Sequence, residues 1–180
     1  MIVKNFTKNE YNARLKAVRN EMEKRGLDAL IVTDIANQHY LTGYDGWSFY
    51  TPQIVALTLE CDNPYWIGRA MDAVGGRLTV HMPPHFVIGF PETLVHQPDT
   101  HPTIWIAEYL KSLGWDGKNI GYESDSFYFS PRSFSYLTAG LPNARFIDAD
   151  LLINWIRSKK SEKELEYMRM AAKIANSVHG

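Results

Sequence analysis

Residues Asn37-Gln38-His39-Tyr40-Leu41-Thr42-Gly43-Tyr44-Asp45-Gly46-Trp47-Ser48-Phe49-Tyr50 hold five aromatics, two glycines and an aspartate in fourteen positions. The mixture follows neither a helical nor a strand period, and an unpatterned aromatic stretch reads as a loop that binds something. Its rings can wall a ligand pocket, plug a hydrophobic gap or meet a second subunit, and spacing alone leaves these open. A second constellation is Gly68-Arg69-Ala70-Met71-Asp72-Ala73-Val74-Gly75-Gly76, with Arg69 and Asp72 three apart where a strand gives way to a helix. The planar fork of Arg69 suits a carboxylate. A surface ion pair between Arg69 and Asp72 explains the same two residues without a ligand. Tyr44, Trp47, Phe49, Tyr50, Arg69 and Asp72 are therefore the candidate substrate-binding residues.

Other chemistries find less support. His81 and His85 have i, i+4 spacing, but Pro83 and Pro84 forbid the helix that would align both rings, and no Glu stands as in His-Glu-x-x-His. His96 and His101 lie among Gln97, Pro98, Asp99 and Pro102, which reads as a solvated loop. Cys61 is the single cysteine, so an intrachain disulfide and a thiolate zinc site are both excluded, and a reducing cytoplasm is the expected setting. No Gly-x-Ser-x-Gly elbow occurs, and no histidine lies near Cys61 in sequence. Thr33-Asp34-Ile35-Ala36-Asn37 lacks the glycines a pyrophosphate needs, which argues against a dinucleotide or Walker-type site. Asp34, at a strand end, leaves a phosphoacceptor as a remote option.

The framework for these residues is a chain of 180 residues with 45% hydrophobic content, enough for one full core without metal or disulfide help. Nineteen basic residues stand against twenty acidic ones, scattered along the chain, so nucleic acid is not an expected partner. Met1-Ile2-Val3-Lys4-Asn5-Phe6 is too short and too soon polar for a leader, and no run of about 18 apolar residues offers a membrane span.

Thr7-Lys8-Asn9-Glu10 has capping-box spacing, Tyr11, Leu15, Val18 and Met22 recur at helical intervals, and Gly26 suits a left-handed cap. Ala29-Leu30-Ile31-Val32 reads as a strand covered on both faces. Gln53 to Leu59 and Tyr65-Trp66-Ile67 form an expected hairpin across Glu60-Cys61-Asp62-Asn63-Pro64, which makes the sheet mixed. A short helix over Arg69 to Val74 should end at Gly75-Gly76, and Phe86-Val87-Ile88 is a further strand. Pro102 opens a helix through Ile106, Leu110 and Leu113, Ile120-Gly121-Tyr122 is a strand, and Ser130-Pro131 starts a helix ending near Gly140. Arg145-Phe146-Ile147 is the last strand, and Asp148 or Asp150 should cap Leu151 to Ile156. Helices and strands in this order predict a layered α/β domain over residues 1–157. Ser161-Glu162-Lys163-Glu164 is another capping box, and Leu165, Met168, Ala172, Ala175 and Val178 form an apolar stripe. That stripe either packs back or begins a second domain; residues 158–180 are taken as a linker and the first helix of such a domain.

The opening helix, Gly26-Leu27-Asp28-Ala29-Leu30-Ile31-Val32, and the Tyr-Leu-Thr-Gly core of Asn37 to Tyr44 resemble the amino-terminal domain of the creatinase, prolidase and aminopeptidase P superfamily. Ser158 to Leu165 resembles that family's Lys-x-x-x-Glu-hydrophobic passage into its catalytic domain. The resemblance implies a three-layer, ribonuclease H-like mixed sheet with helices on both faces. It also implies a homodimer in which this domain overhangs the partner's active site, acting on a small molecule or dipeptide. Family members usually hold two divalent metal ions through two Asp, one His and two Glu of the following domain. None of those motifs occurs in residues 1–180, so this chain alone is expected to bind no metal and hydrolyse nothing. Gly43 to Tyr50 and the pattern at Gly68 to Gly75 look most similar to the ectoine hydrolase branch, which implies a role for Arg69 at a substrate carboxylate. Creatinase places a Phe-x-Arg in this loop, where the present residues are Phe49-Tyr50-Thr51, a departure from a creatine site. Xaa-Pro peptidases share the architecture. A stand-alone ligand- or partner-binding module is the alternative reading.

Overall fold

A computed structural model of the chain describes residues 5–179; Met1–Lys4, on which the expectation about a leader rests, and Gly180 lie outside the described residues. Six strands form one mixed sheet in the order β4-β3-β2-β1-β5-β6: β1 Ala29–Val32, β2 Ile54–Thr58, β3 Tyr65–Arg69, β4 Val87–Phe90, β5 Asn119–Tyr122 and β6 Arg145–Asp148. The hairpin pairs β2 with β3 antiparallel, with Val55 opposite Trp66. β1 runs antiparallel to β2 and parallel to β5, with Ile31 opposite both Ala56 and Tyr122.

Alternation along β1 explains the three layers. Leu30 and Val32 join a core with Leu15, Val18, Met22 and Leu41, while Ala29 and Ile31 join a second core with Ile106, Leu110, Trp115 and Leu137. Successive strand side chains point to opposite faces, so an unbroken apolar run needs helices on both. Helices α1 Lys8–Lys24, α2 Ile35–Thr42, α3 Ala70–Thr79 and α6 Leu152–Ser158 supply the first core, and α4 Pro102–Ser112 and α5 Pro131–Gly140 the second. Thr7 caps α1 by accepting the Glu10 amide at 3.2 Å, and Gly26 closes it at φ +65°.

Three expectations need correction. Asn37 to Thr42 are not loop but the body of α2, capped by Asp34 and closed by Gly43 at φ 77°. A side chain at Gly43 would also meet the Tyr11 hydroxyl at 2.6 Å, so this end demands glycine twice over. Helix α3 does not stop at Gly75-Gly76 but runs on to Thr79, since neither glycine takes the positive φ of a helix stop, and Gly76 lies close against Val87 and Tyr44. Neither Asp148 nor Asp150 caps α6: its cap is Leu151 at φ 59°, and the Asp148 carboxylate instead accepts the Ser124 hydroxyl and the Asp150 amide.

Helix α7 Glu162–His179 half-buries Leu165 and leaves the rest of its apolar stripe, Met168, Ala172, Ala175 and Val178, exposed. Its capping box is complete, with Ser161 and Glu164 exchanging backbone-to-side-chain bonds of 2.8 and 3.2 Å. No helix among the described residues is long and apolar enough to cross a membrane.

Candidate functional site

The carboxyl ends of β1 and β5 lie side by side, and the segments leaving those two ends build the site. From β1 the chain enters α2 and then the segment from Tyr44 to Gln53; from β5 it enters a turn carrying Phe127, Tyr128 and Phe129. Between them opens a cleft of about 550 Å³ lined by Asp34, His39, Tyr44, Asp45, Trp47 and Tyr128, among others. A smaller cleft of about 170 Å³ on the other side of Tyr128 is lined by Phe49, Tyr50, His101 and Phe127. Trp47 stands 6.1 Å from Tyr128 and 5.6 Å from Phe49, so an aromatic ridge divides the two.

The candidate residues part company here. Trp47, Phe49 and Tyr50 are exposed, at 57%, 72% and 46%. Tyr44 is buried: its ring packs 4.7 Å from that of Trp66, and burial raises its hydroxyl above the usual phenol range. Its hydroxyl accepts from Gln53 Nε2 at 3.1 Å, the same nitrogen donates to Asp72 at 3.2 Å, and Gln53 Oε1 accepts the Ser48 amide at 3.1 Å. Gln53 thus ties Tyr44, Asp72 and the loop backbone together. The Arg69–Asp72 ion pair, the alternative to a ligand for these two residues, is not the pairing found. Arg69 Nε donates to Glu92 at 2.5 Å and Nη1 to the Tyr50 hydroxyl at 2.7 Å, while Glu92 also accepts the Met71 amide at 2.9 Å. Glu92 wins because one carboxylate there satisfies both the guanidinium and an orphan amide at the start of α3. Its pKa falls accordingly, with Arg69 the larger cause.

Beneath the cleft lies a buried carboxylate that no motif announced. Glu123, at the end of β5 and 4% exposed, accepts the amides of Thr33 and Asp34 at 2.6 and 2.7 Å and the Asn37 side chain at 2.7 Å. Asn37 in turn donates to Asn154 at 2.8 Å and accepts from Arg157 at 2.6 Å. Burial raises the Glu123 pKa against the lowering pull of these hydrogen bonds. His39, on the cleft floor, is held toward its neutral form by burial, with nearby Asp45 opposing. Asp34 commits one oxygen to the Asn37 amide at 2.9 Å, the duty of a helix cap.

Three other histidines make contacts within the fold. His101 caps α4 by accepting the Thr103 amide at 3.2 Å, His81 Nδ1 meets the Thr42 carbonyl at 3.0 Å, and His96 packs 5.3 Å from Tyr50. Among the described residues, no group of three or more His, Cys, Asp or Glu side chains could hold a metal ion. The residues present thus do not fit the two-metal centre that the resemblance attaches to the following domain. Tyr128 and Phe127 were the missed members of the ridge. An unpatterned aromatic triplet after a strand, Phe127-Tyr128-Phe129, is the same signal that singled out Trp47 and Phe49.

A three-layer domain with this mixed sheet, carrying aromatic walls but no metal-holding group among its described residues, defines a class of α/β domain. The Creatinase/Prolidase N-terminal domain family model matches residues 14–159, and the chain belongs to that family. An ectoine hydrolase of Halomonas elongata is 46% identical over 175 residues, covering 97% of this chain and 44% of that protein. The chain spans less than half the length of the curated relatives it matches. Among solved structures, the Xaa-Pro dipeptidase of Bacillus anthracis superposes with a TM-score of 0.72 at 17% identity, over 93% of this chain and 41% of that one. The creatinase/prolidase N-terminal domain of an X-Pro dipeptidase from Streptococcus pyogenes gives 0.62 at 16% identity, over 82% of this chain and 98% of that one. At such identities these two structures speak for the fold alone.

Proposed function

We propose that this chain is the non-catalytic, substrate-shaping domain of a carbon–nitrogen hydrolase, with residues 1–157 forming the domain and 158–180 leading into a catalytic one. The observation that carries the reading is the 46% identity with an ectoine hydrolase across 97% of the chain, joined to a cleft lined in part by Tyr44, Trp47 and Tyr128. In this role Trp47, Phe49 and Tyr50, with Tyr128, exclude water from a substrate held against the catalytic half, and Tyr44 and Asp72 brace them from below. Arg69, braced by Glu92, presents its charge beside Tyr50 to a substrate carboxylate. The complete protein works as a cytoplasmic homodimer, with two divalent metals in the catalytic half, on an ectoine-like cyclic amidine or an Xaa-Pro dipeptide. The ectoine-like substrate is the first choice because the stretch aligned with the ectoine hydrolase, 97% of this chain, spans the loop.

The test is the full-length gene product, assayed with ectoine, Xaa-Pro dipeptides and creatine. Hydrolysis of ectoine, lowered about tenfold or more by Trp47→Ala or Phe49→Ala with folding intact, is the expected result. Failure on every carbon–nitrogen substrate would overturn it and favour a stand-alone binding module.

A further inference from the structure

Two arginines from different elements converge on the short helix α2. Arg14 of α1 is 4% exposed; its Nη1 donates to the Tyr40 carbonyl at 3.2 Å, and its Nη2 lies 3.2 Å from Glu164 of α7. Arg157 of α6 donates to Asn37 at 2.6 Å. Their guanidinium carbons stand 4.5 and 5.9 Å from the centre of the Tyr40 ring. Arg157 and Glu164 flank the hinge 159–161 that joins α6 to α7, one on each side. A cleft of about 420 Å³ lined by Phe6, Arg157, Lys160, Glu164 and Tyr167 separates the two contacts. The hinge is therefore bridged through α2 rather than packed shut.

Helix α2 is also the floor of the aromatic cleft, through Ile35, Ala36 and His39, and its amino end is fixed on Glu123. A displacement of α7 that draws Glu164 off Arg14 leaves a buried guanidinium with Glu10 as its remaining acidic partner, at 3.3 Å, and loosens its hold on the Tyr40 carbonyl. We propose that Arg14 and Arg157 are positioning residues that clamp α2 and couple the orientation of helix α7 to the shape of the aromatic cleft. Calling that cleft substrate-facing rests on the proposed function; the mechanical coupling does not. The Lys-x-x-x-Glu passage then has a physical task, since its glutamate both closes the α7 cap and reaches the buried arginine.

Amide hydrogen exchange on the 180-residue chain tests the coupling without substrate or catalysis, so its failure is separate from failure of the hydrolase reading. Glu164→Gln keeps the capping box, in which Gln serves as well as Glu, and removes the charge facing Arg14. The expected result is exchange about fivefold faster in the first turns of α7 and in Asn37–Thr42, with β1 and β2 unchanged. Glu10→Gln, which removes the other acid from the same arginine nitrogen, should leave α7 and α2 within about twofold of the parent. Acceleration confined to α7, a uniform rise across β1 and β2, or an equal response to Glu10→Gln would each overturn the clamp. Arg157→Met, at a half-buried position, gives a second reading: faster exchange in Asn37–Thr42 supports the clamp, and an unchanged α2 overturns it.

Discussion

The segment from Ile35 to Tyr50 contains two neighbouring regions built on opposite principles. Up to Gly43 the chain is over-determined: Glu123, Asn154 and Arg157 converge on Asn37, and Gln38 donates to the carbonyls of Thr33 and Gln53 at 3.0 and 3.1 Å. Beyond Tyr44 the rings stand in solvent, with Trp47 57% and Phe49 72% exposed. Fully paired buried groups fix a backbone, whereas exposed rings keep their rotamer freedom until something covers them. The difference separates a rigid base from an adaptable wall, and mutations should sort by side.

The largest effect belongs to Tyr44, which looks like loop in sequence but is core in space. Tyr44→Ala removes a ring packed on Trp66 and a partner of Gln53, and urea denaturation should show a loss of about 3–5 kcal/mol. A loss below about 1 kcal/mol would place Tyr44 with the wall instead. Next comes Glu123→Ala, which strands the amides of Thr33 and Asp34 in the interior and should cost about 2–4 kcal/mol. The pH dependence gives this carboxylate a signature. Burial lifts its pKa above the ordinary 4.5, so between that value and the raised native one the folded state holds a proton the unfolded chain has lost. Stability from this group therefore falls as pH rises through the window and is greatest below it. Glu123→Gln should flatten that decline in a series of melts across pH.

The rigid base was the harder half to see in sequence. Helix α1, the hairpin and the strands of the sheet followed from apolar periods and turn residues, because burial of apolar faces is what those periods encode. Helix α2 escaped because its buried side chains include Asn37, Gln38 and Thr42, which satisfy hydrogen bonds rather than a hydrophobic stripe. Its true markers were the ends, Asp34 as cap and Gly43 as stop. Glu123 was invisible for a related reason: its partners lie 86 to 90 positions away, and one glutamate after a strand carries no spacing signal. The exposed aromatics were legible because nothing in a folding pattern required them. Arg69 was also legible, but its acid was not, since Glu92 reaches it from 23 residues along the chain while Asp72 stood closer in sequence.

Gln53 joins the two regions, and its replacement should give an intermediate effect. Gln53→Ala cuts the bonds to Tyr44, Asp72 and the Ser48 amide, and calorimetry should register a loss of about 1–2 kcal/mol. Faster amide exchange at Ser48, with α2 unchanged, would show that this glutamine secures the wall to a base that holds without it.

The smallest effect on stability should come from the residues that matter most to the proposed function. Trp47 and Phe49 touch each other and, through Trp47, Tyr128, while more than half of each side chain faces solvent. Truncating either returns little apolar area to water, so Trp47→Ala and Phe49→Ala should each shift unfolding by no more than about 0.5 kcal/mol. A shift of about 2 kcal/mol or more would mean that the ring is covered within the folded chain, and the contrast between base and wall would collapse into one core. If the small shift holds, energy that folding does not use is free to be used on whatever closes over the rings, since burying an exposed aromatic contributes about 1.5–3 kcal/mol. The same two variants then weaken that closure while leaving the domain beneath intact.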